Sequence, residues 1–407
     1  MNATRQKRLV PTAAIEGPSI LNMLSTIVRM SGLGSAALLF AQCPLAVAAE
    51  PASDAATISV YATGFNNPRG LKFDAAGQLY VAEGGVGGSE STVGICTQVV
   101  PPVGPYTGSS TGGRISRVGP WGYRDTVTDS LPSNNSSPAN GSVVLGVADV
   151  AFVGQNLFGL LGGAGCSHGV ARIPNGVVRV APRGDRWSLV ADLSAFQQAH
   201  PTAVENPADF EPDGVWYSIV EVGGALYAIE PNHGELDRID LDGHVTRIAD
   251  ISATQGHVVP TALAWHDGAF YVGELSVYPI VAGAANVLRI TMRGEVEVAA
   301  TGFSDITGLA FGAQGEMYVL ENTTGNPFPT PNTGDVVRVA ARSPHDVPGL
   351  DAPARRGDDV IASGLLLPTA MTYHDGSLYV SVGGFGLPAT GLGEVLKIRL
   401  HHEGAGW

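Results

Sequence analysis

Four glutamates stand at the same place in a repeated pattern of this sequence. Each closes a short apolar and aromatic run, as in Leu79-Tyr80-Val81-Ala82-Glu83, and the four are Glu83, Glu230, Glu274 and Glu321. Equivalent positions in a closed ring of repeats point toward one axis, so these carboxylates would form an acidic collar. Ca²⁺ takes carboxylate and carbonyl oxygens with loose geometry, which makes calcium the metal to expect there. The alternative is that each glutamate only accepts hydrogen bonds from the amides of a neighbouring loop.

A second set of polar residues lies at the start of the apolar run that opens each repeat. The set is Arg69, Asp149, Asp213, Thr261, Asp305 and Thr369. In a ring of repeats these residues would surround the mouth of a central channel. Arg69 can hold a carboxylate through two parallel hydrogen bonds, or it can neutralise a neighbouring aspartate. The set predicts a binding site at the channel mouth.

Other motifs are weaker signs of chemistry. Residues Gly165 to Gly169 match G-x-S-x-G, but a nucleophile elbow needs a strand, a turn and a helix around it, and no helix pattern follows. The two His-Asp-Gly triplets at His266 and His374 lie between apolar runs and are typical of hairpin turns. The sequence has no C-x-x-C, no H-E-x-x-H and no Gly-Lys-Ser/Thr phosphate loop.

The elements that must position these residues are short strands. Six copies of one unit align on an aromatic or apolar triplet in the second strand: Leu79-Tyr80-Val81, Leu157-Phe158-Gly159, Leu226-Tyr227-Ala228, Phe270-Tyr271-Val272, Met317-Tyr318-Val319 and Leu378-Tyr379-Val380. Each triplet follows an apolar run and a glycine turn, and a third strand and in most copies a fourth strand come after it. Repeats of four antiparallel strands indicate an all-β fold, a six-bladed β-propeller.

The ends of the chain predict how the ring closes. The sixth copy ends with Glu394–Arg399 and has no fourth strand, whereas Ile58–Ala62 reads as a fourth strand with no blade before it. We therefore expect the N-terminal strand to complete the last blade, which leaves no open sheet edge. The long loops fall mostly on one face of such a ring. Because binding residues concentrate on elaborated loops, the binding site is expected on this loop-rich face.

The first residues resemble an export signal. A basic start and the apolar stretch Ser31–Ala49, ending in small residues, predict a signal peptide; a membrane anchor or a lipoprotein start at Cys43 are the alternatives. The predicted organisation is residues 1–49 leader, 50–56 linker, 57–400 propeller and 401–407 tail. We expect a secreted or periplasmic monomer without a membrane span after cleavage. An oxidising compartment favours a disulfide between Cys96 and Cys166, the alternative being two independent loop cysteines.

Charge excludes one class of partner. The formal net charge of the 407-residue chain is −14, and residues 1–49 carry four basic side chains against one acidic one, so the remainder carries −17. Such a surface repels a phosphate backbone. We therefore expect no nucleic-acid partner.

Several sequence runs are distinctive beyond the repeat itself: Ala62-Thr63-Gly64-Phe65, Asn67-Pro68-Arg69-Gly70-Leu71, Leu79 to Glu83, Ala191 to Phe196, and Tyr271 to Leu275 followed by Pro279 and Gly283 to Val287. In these runs the chain, over about residues 57–400, resembles the ScyD/ScyE family of exported six-bladed propellers. Repeats of this kind are shared with NHL-type and gluconolactonase-like propellers. The resemblance implies a fold and export, and it assigns no catalytic residue.

Two functions follow from these patterns. The first is a binding or scaffold module that takes a small molecule, a glycan or a protein on the loop-rich face, with no catalysis of its own. The alternative is a Ca²⁺-dependent hydrolase or lactonase of the gluconolactonase-like kind, with its metal on the acidic residues of the channel mouth.

Overall fold

The computed structural model describes residues 56–184, 186–339, 354–357, 359–385 and 391–400. Six sheets of four antiparallel strands form a ring, as the repeats predict. The leader and the C-terminal tail expected from the sequence lie outside the described residues. Among the residues described, no helix is both long enough and apolar enough to cross a membrane.

The chain enters through β1 (Thr57–Phe65) and then builds three blades in order. The first is β2 (Pro68–Phe73), β3 (Leu79–Glu83), β4 (Thr107–Val118) and β5 (Arg124–Asn135), extended by β6 (Val144–Leu145). The second is β7 (Val147–Val153), β8 (Asn156–Leu161), β9 (Gly176–Val180) and β10 (Trp187–Asp192). The third is β11 (Ser218–Val222), β12 (Ala225–Glu230), β13 (Glu235–Ile239) and β14 (Val245–Asp250).

Three further blades complete the ring. The fourth is β15 (Pro260–His266), β16 (Ala269–Glu274), β17 (Ala285–Thr291) and β18 (Val296–Phe303). The fifth is β19 (Ile306–Phe311), β20 (Met317–Glu321), β21 (Gly334–Val339) and β23 (Val360–Leu365), while β22 (Ala354–Arg355) pairs in parallel with β18 of the fourth blade. The sixth is β24 (Ala370–His374), β25 (Ser377–Val382) and β26 (Gly393–Arg399).

The predicted closure of the ring is confirmed. Strand β1 pairs antiparallel with β26, with Ile58 opposite Ile398 and Thr57 opposite Arg399. The first and last parts of the described chain therefore share one sheet. Phe65 at the end of β1 is fully buried and packs with Leu71, Val81 and Tyr379 between the sixth and first blades. Both backbone pairing and hydrophobic burial therefore hold the ring closed.

Short helices and a longer hairpin differ from the sequence expectation. The predicted loop after β10 begins with α1 (Leu193–Ala199), which Asp192 caps by accepting a hydrogen bond from the Ala195 amide at 2.8 Å. A second, one-turn helix, α2 (Ser252–Gln255), follows β14. In the first blade, β4 and β5 each extend to 12 residues, so Ser130–Asn135, expected as loop, is strand. Bulges in the β4–β5 register let the hairpin continue beyond the blade.

The two His-Asp-Gly triplets are hairpin turns, as expected. Asp267 and Asp375 both have φ of 44°, and the glycine after each also has a positive φ, the geometry of a tight two-residue hairpin. Each histidine stacks on the next blade: His266 on Phe311 with ring centroids 4.1 Å apart, and His374 on Phe73 at 3.9 Å. On this face the histidines join neighbouring blades.

Candidate functional site

The channel is closed on the loop-rich face by one tyrosine. Tyr217, just before β11 in the third blade, donates a hydrogen bond to the Thr369 carbonyl at 2.8 Å. Thr369 precedes β24 in the sixth blade, and blades three apart in a ring of six lie on opposite sides of the axis. The Thr369 hydroxyl in turn donates to the Pro68 carbonyl at 2.7 Å. Burial raises the pKa of Tyr217 to about 12, so its hydroxyl keeps the proton that it donates.

Arg69 lies beside this crossing. Its side chain is 4% exposed, its Nη2 donates to the Val144 carbonyl at 2.7 Å, and its guanidinium lies 6.0 Å from the centre of the Phe385 ring. Burial lowers the pKa of Arg69, and the neighbouring Tyr217 opposes this. Within the described residues, Nε has no hydrogen-bond partner and no carboxylate forms an ion pair with Arg69, in contrast to Arg114 or Arg356. We call Arg69, Tyr217, Thr369 and Phe385 the channel mouth.

An aromatic row leads away from the channel mouth across the loop-rich face. Phe385 lies 6.1 Å from Phe328 of the fifth blade, which lies 6.4 Å from Tyr278 of the fourth blade, measured between ring centroids. Tyr278 is 73% exposed. All three residues sit in loops between second and third strands. The row gives the face an apolar surface next to a buried cation.

Asp149 and Thr261 lie elsewhere in the channel. Asp149 lines a cavity of about 410 Å³ between the six inner strands, and its carboxylate accepts from the amides of Val150 at 2.8 Å and Ile219 at 3.0 Å. Burial raises its pKa to about 6. Thr261 donates to the Ile306 carbonyl at 2.5 Å, which joins the fourth blade to the fifth. Both side chains are committed to contacts within the ring.

Asp305 and Asp213 occupy different surroundings again. Asp305 is fully buried, and neither carboxyl oxygen has a partner among the residues described. Burial, and then the charge of Glu321, raise the pKa of Asp305 well above its usual value, which favours the neutral acid. Asp213 accepts from the amide and the hydroxyl of Ser167, both at 2.6 Å. Of the six residues predicted for the channel mouth, Arg69 and Thr369 lie at Tyr217, and, in addition to burial, the charges of Asp305 and Asp149 also reach Tyr217 and raise its pKa.

The four glutamates of the expected collar are each buried in their own blade. Glu83 pairs with Arg114 at 2.5 Å, and Glu230 accepts from the Val215 amide at 2.8 Å. Glu274 accepts from the Asn286 amide at 2.9 Å, and Glu321 from the Ser304 amide at 2.7 Å. Of these contacts, only those with Val215 and Ser304 come from loop amides, as the alternative interpretation expects; Arg114 lies in β4 and Asn286 in β17. The part of the chain that the structure describes holds no group of three or more His, Cys, Asp or Glu side chains placed to bind a metal ion.

The G-x-S-x-G match forms a 3₁₀ turn, Cys166–His168, and not a strand-to-helix elbow. His168 is fully buried, with Nε2 2.9 Å from Glu211 and Nδ1 2.7 Å from the Ala164 carbonyl. Burial alone would lower the pKa of His168, but Glu211 raises it above the usual value. Cys166 forms a disulfide with Cys96, so the pairing favoured from the sequence is present.

Sequence reasoning missed several residues of the site. Tyr217 has a local signal, since it directly precedes an inner strand as Thr369 does. Phe385 and Phe328 carry no such signal, because residues in loops do not follow the regular alternation of apolar and polar side chains seen in strands. Glu211 meets His168 from 43 positions away along the chain, a pairing that only the tertiary fold creates.

No protein-family model and no curated protein matches this chain. Among solved structures, a protein of Thermus thermophilus assigned by name to the oxidoreductases (glucose dehydrogenase) is 17% identical with a TM-score of 0.53, covering 84% of this chain and 99% of its own. A protein of unknown function from Bacteroides thetaiotaomicron is 12% identical, TM-score 0.51, covering 85% and 76%. A gluconolactonase of Xanthomonas campestris is 13% identical, TM-score 0.49, covering 85% and 90%. The likeness to the first two structures shows a common fold, and identities this low assign no activity.

Proposed function

We propose that the protein is a binding module that takes a small carboxylate-bearing molecule at the channel mouth on its loop-rich face. The observation that carries the proposal is the state of Arg69. Its guanidinium is buried, and the described residues provide no carboxylate to pair with it. A buried charge without a partner is costly, so an anionic ligand that supplies the missing partner gains free energy.

The donors of Arg69 suit a carboxylate. A guanidinium binds a carboxylate best through two parallel N–H bonds, and its Nε–H is the donor left without a partner within the described chain. The Nη2 bond to the Val144 carbonyl fixes the plane of the group. The neutral hydroxyl of Tyr217 adds no opposing charge, because its pKa is raised to about 12.

The rest of the ligand would lie on the aromatic row. Phe385 is next to the Arg69 guanidinium, and Phe328 and Tyr278 continue outward from it. Aromatic faces bury the flat or apolar side of a ligand and favour offset or edge contacts. An organic acid with a ring, such as an aromatic acid or a sugar acid, combines the two features.

The proposal also covers the cellular compartment of the protein and the family that it resembles. The apolar leader supports export, and the ScyD/ScyE resemblance rests on sequence runs such as Asn67 to Leu71 and Tyr271 to Leu275. The Cys96–Cys166 disulfide agrees with an oxidising compartment. We therefore propose a secreted or periplasmic protein of the ScyD/ScyE type, acting as a monomer.

Thermal unfolding of the full-length protein tests the carboxylate site. Acetate, benzoate and glucuronate are compared with benzamide as the neutral counterpart of benzoate, all at equal ionic strength. A ligand that binds only the folded state at a hundredfold excess over its Kd adds about 2.7 kcal/mol of stability. We expect at least one carboxylate to raise Tm, benzamide to have no effect, and Arg69→Met to abolish the rise.

Two results would contradict the proposal. One is a Tm that none of the three acids moves. The other is a rise that Arg69→Met retains or that benzamide reproduces. Circular dichroism of Arg69→Met establishes that this variant is folded. Arg69→Lys keeps the positive charge but loses the two parallel N–H donors of the guanidinium, so it should retain only part of the rise in Tm.

A further inference from the structure

A second concavity on the loop-rich face has its own set of residues. It measures about 590 Å³, within the size range of small-molecule sites. Cys96 and Cys166 form one side, and the segment from Gln197 to Asp213, which begins in α1, forms the other. We call it the disulfide groove. Arg69 and the aromatic row take no part in its lining.

The two sides of the groove are fixed to each other. The disulfide joins the long loop of the first blade to the loop of the second blade. Thr92 donates to the Cys166 carbonyl at 2.5 Å, and Ser167 donates twice to the Asp213 carboxylate at 2.6 Å. The disulfide thus fixes the first side, and the Ser167–Asp213 hydrogen bonds hold that side to the other. A cleft held in this way is formed before any ligand arrives, which lowers the cost of ordering on binding.

The charge of the groove is negative. Glu205 and Asp213 both contribute to its lining, and Glu205 is exposed. His233 also lines the groove, but it lies 3.3 Å from the buried Glu230, so that pair adds no net charge when His233 is protonated. A cation is the ligand that such a cleft attracts, and the net charge of −14 on the whole chain favours its approach.

One buried side chain in the lining has a hydrogen-bond acceptor that the described residues leave unpaired. Gln197 is 3% exposed, and its Oε1 has no hydrogen-bond partner within the described part of the chain. A buried polar atom left without a partner costs about 1–3 kcal/mol. An ammonium group has only donors to offer, so it can supply the bond that this oxygen lacks.

An apolar wall completes the groove. Phe210, Pro201 and Pro212 all contribute to the lining, and the Phe210 ring meets His233 edge to face at a centroid distance of 5.4 Å. An aromatic ring next to carboxylates favours a cation with an apolar part. We propose that the disulfide groove binds a small organic ammonium ligand, with its charge toward Glu205 and Asp213 and its apolar part against Phe210.

Isothermal titration of the full-length oxidised protein tests this site with benzylamine, using benzyl alcohol as its neutral counterpart. We expect benzylamine to bind at least about tenfold more tightly than the alcohol, a difference of about 1.4 kcal/mol. Glu205→Gln changes only the charge of an exposed side chain and should weaken benzylamine by about tenfold. Asp242→Asn, an exposed carboxylate in the turn between β13 and β14, is the matched control and should change nothing.

The proposal is overturned if benzylamine does not bind, if it binds no more tightly than benzyl alcohol, or if Glu205→Gln binds it as the wild type does. The site is independent of the channel mouth. Arg69→Met should leave benzylamine binding unchanged, whereas Glu205→Gln should leave the carboxylate effect unchanged. The two proposals can therefore fail separately.

Discussion

Tyr217 of the third blade donates a hydrogen bond across the channel to the carbonyl of Thr369 in the sixth blade, at 2.8 Å. The inner strands of a propeller leave a polar channel along the axis, and here one side chain closes it at the loop-rich end. The cavity of about 410 Å³ beyond it is lined by all six inner strands. Ligands that reach the loop-rich face therefore meet a floor that contains Arg69.

Removing the Tyr217 hydroxyl should weaken this closure. Tyr217→Phe leaves the Thr369 carbonyl without its donor, and an unsatisfied buried acceptor costs about 1–3 kcal/mol. We expect the free energy of unfolding, measured in urea, to fall by that amount. Tyr123→Phe is the control, because Tyr123 is 73% exposed and its loss should change stability by less than about 0.5 kcal/mol. Equal effects of the two substitutions would contradict the inferred role.

Replacement by methionine should destabilise the folded protein less at Arg69 than at Arg114. Arg114 pairs with the fully buried Glu83 at 2.5 Å, and breaking a buried ion pair costs about 3–5 kcal/mol because one charge is left without its partner. Arg69→Met instead removes a cation for which the described chain provides no counterion. Its loss removes the bond with the Val144 carbonyl, about 1 kcal/mol, and the contact with the Phe385 ring, about 0.5 kcal/mol.

Chemical denaturation of Arg69→Met and Arg114→Met at the same pH checks this difference. We expect Arg114→Met to be the less stable variant by at least about 2 kcal/mol. If Arg69→Met is destabilised as much as Arg114→Met, then Arg69 already has a structural counterion and no anionic ligand is needed to explain it.

The sequence was sufficient for the fold because each blade repeats the same local information. The triplet around Tyr80 or Tyr271 marks a second strand wherever it occurs. The unpaired strand at each end predicts that Ile58–Ala62 lies beside Glu394–Arg399, and in the structure Ile58 is opposite Ile398. The ends of the strands were harder to predict in the first blade. There β4 and β5 run on through glycines and serines such as Gly113 and Ser133, which have little strand propensity and pair because the hairpin is already formed.

The site was predicted only in part, for a physical reason. A repeat places equivalent backbone positions around an axis, but it does not fix where each side chain turns. Glu83 and Glu321 turn to nearby arginines, and Asp213 turns to Ser167. Arg69 was identified because a cation among acids is rare. Its neighbour Phe385 comes from a loop, whose path follows from tertiary packing.

Calcium should have little effect on this protein. The carboxylates of Glu83, Glu230, Glu274 and Glu321 each accept a hydrogen bond within their blades. Glu274 Oε1 has no partner among the described residues, but those residues hold no group of three or more side chains placed to bind a metal ion. We expect Tm of the chelator-treated protein to stay the same when millimolar Ca²⁺ is added. A rise that disappears in Glu274→Gln would instead favour the Ca²⁺-dependent hydrolase, and lactone and ester substrates should then be tried.

Asp149 should make stability depend on pH in a direction opposite to that of a salt-bridged aspartate. Burial raises its folded-state pKa from 3.8 to about 6, against the opposing effects of Lys72 and the Ile219 and Val150 amides. The folded state therefore holds the proton more tightly than the unfolded state. The stability that Asp149 contributes is complete below about pH 4 and is lost as pH rises through about 6, which amounts to about 3 kcal/mol.

Asp149→Asn cannot titrate, so it removes this loss. We expect the difference in unfolding free energy between the variant and the wild type to shift by about 3 kcal/mol in favour of the variant from pH 4 to pH 7. Urea unfolding at several pH values measures it, and Asp242→Asn should show a constant difference. Parallel curves for Asp149→Asn would mean that water reaches the carboxylate. Asp149 lines the channel cavity, and a Cβ on Gly70 would lie 1.9 Å from Asp149 Oδ1, so the carboxyl group occupies the space that a side chain at position 70 would need.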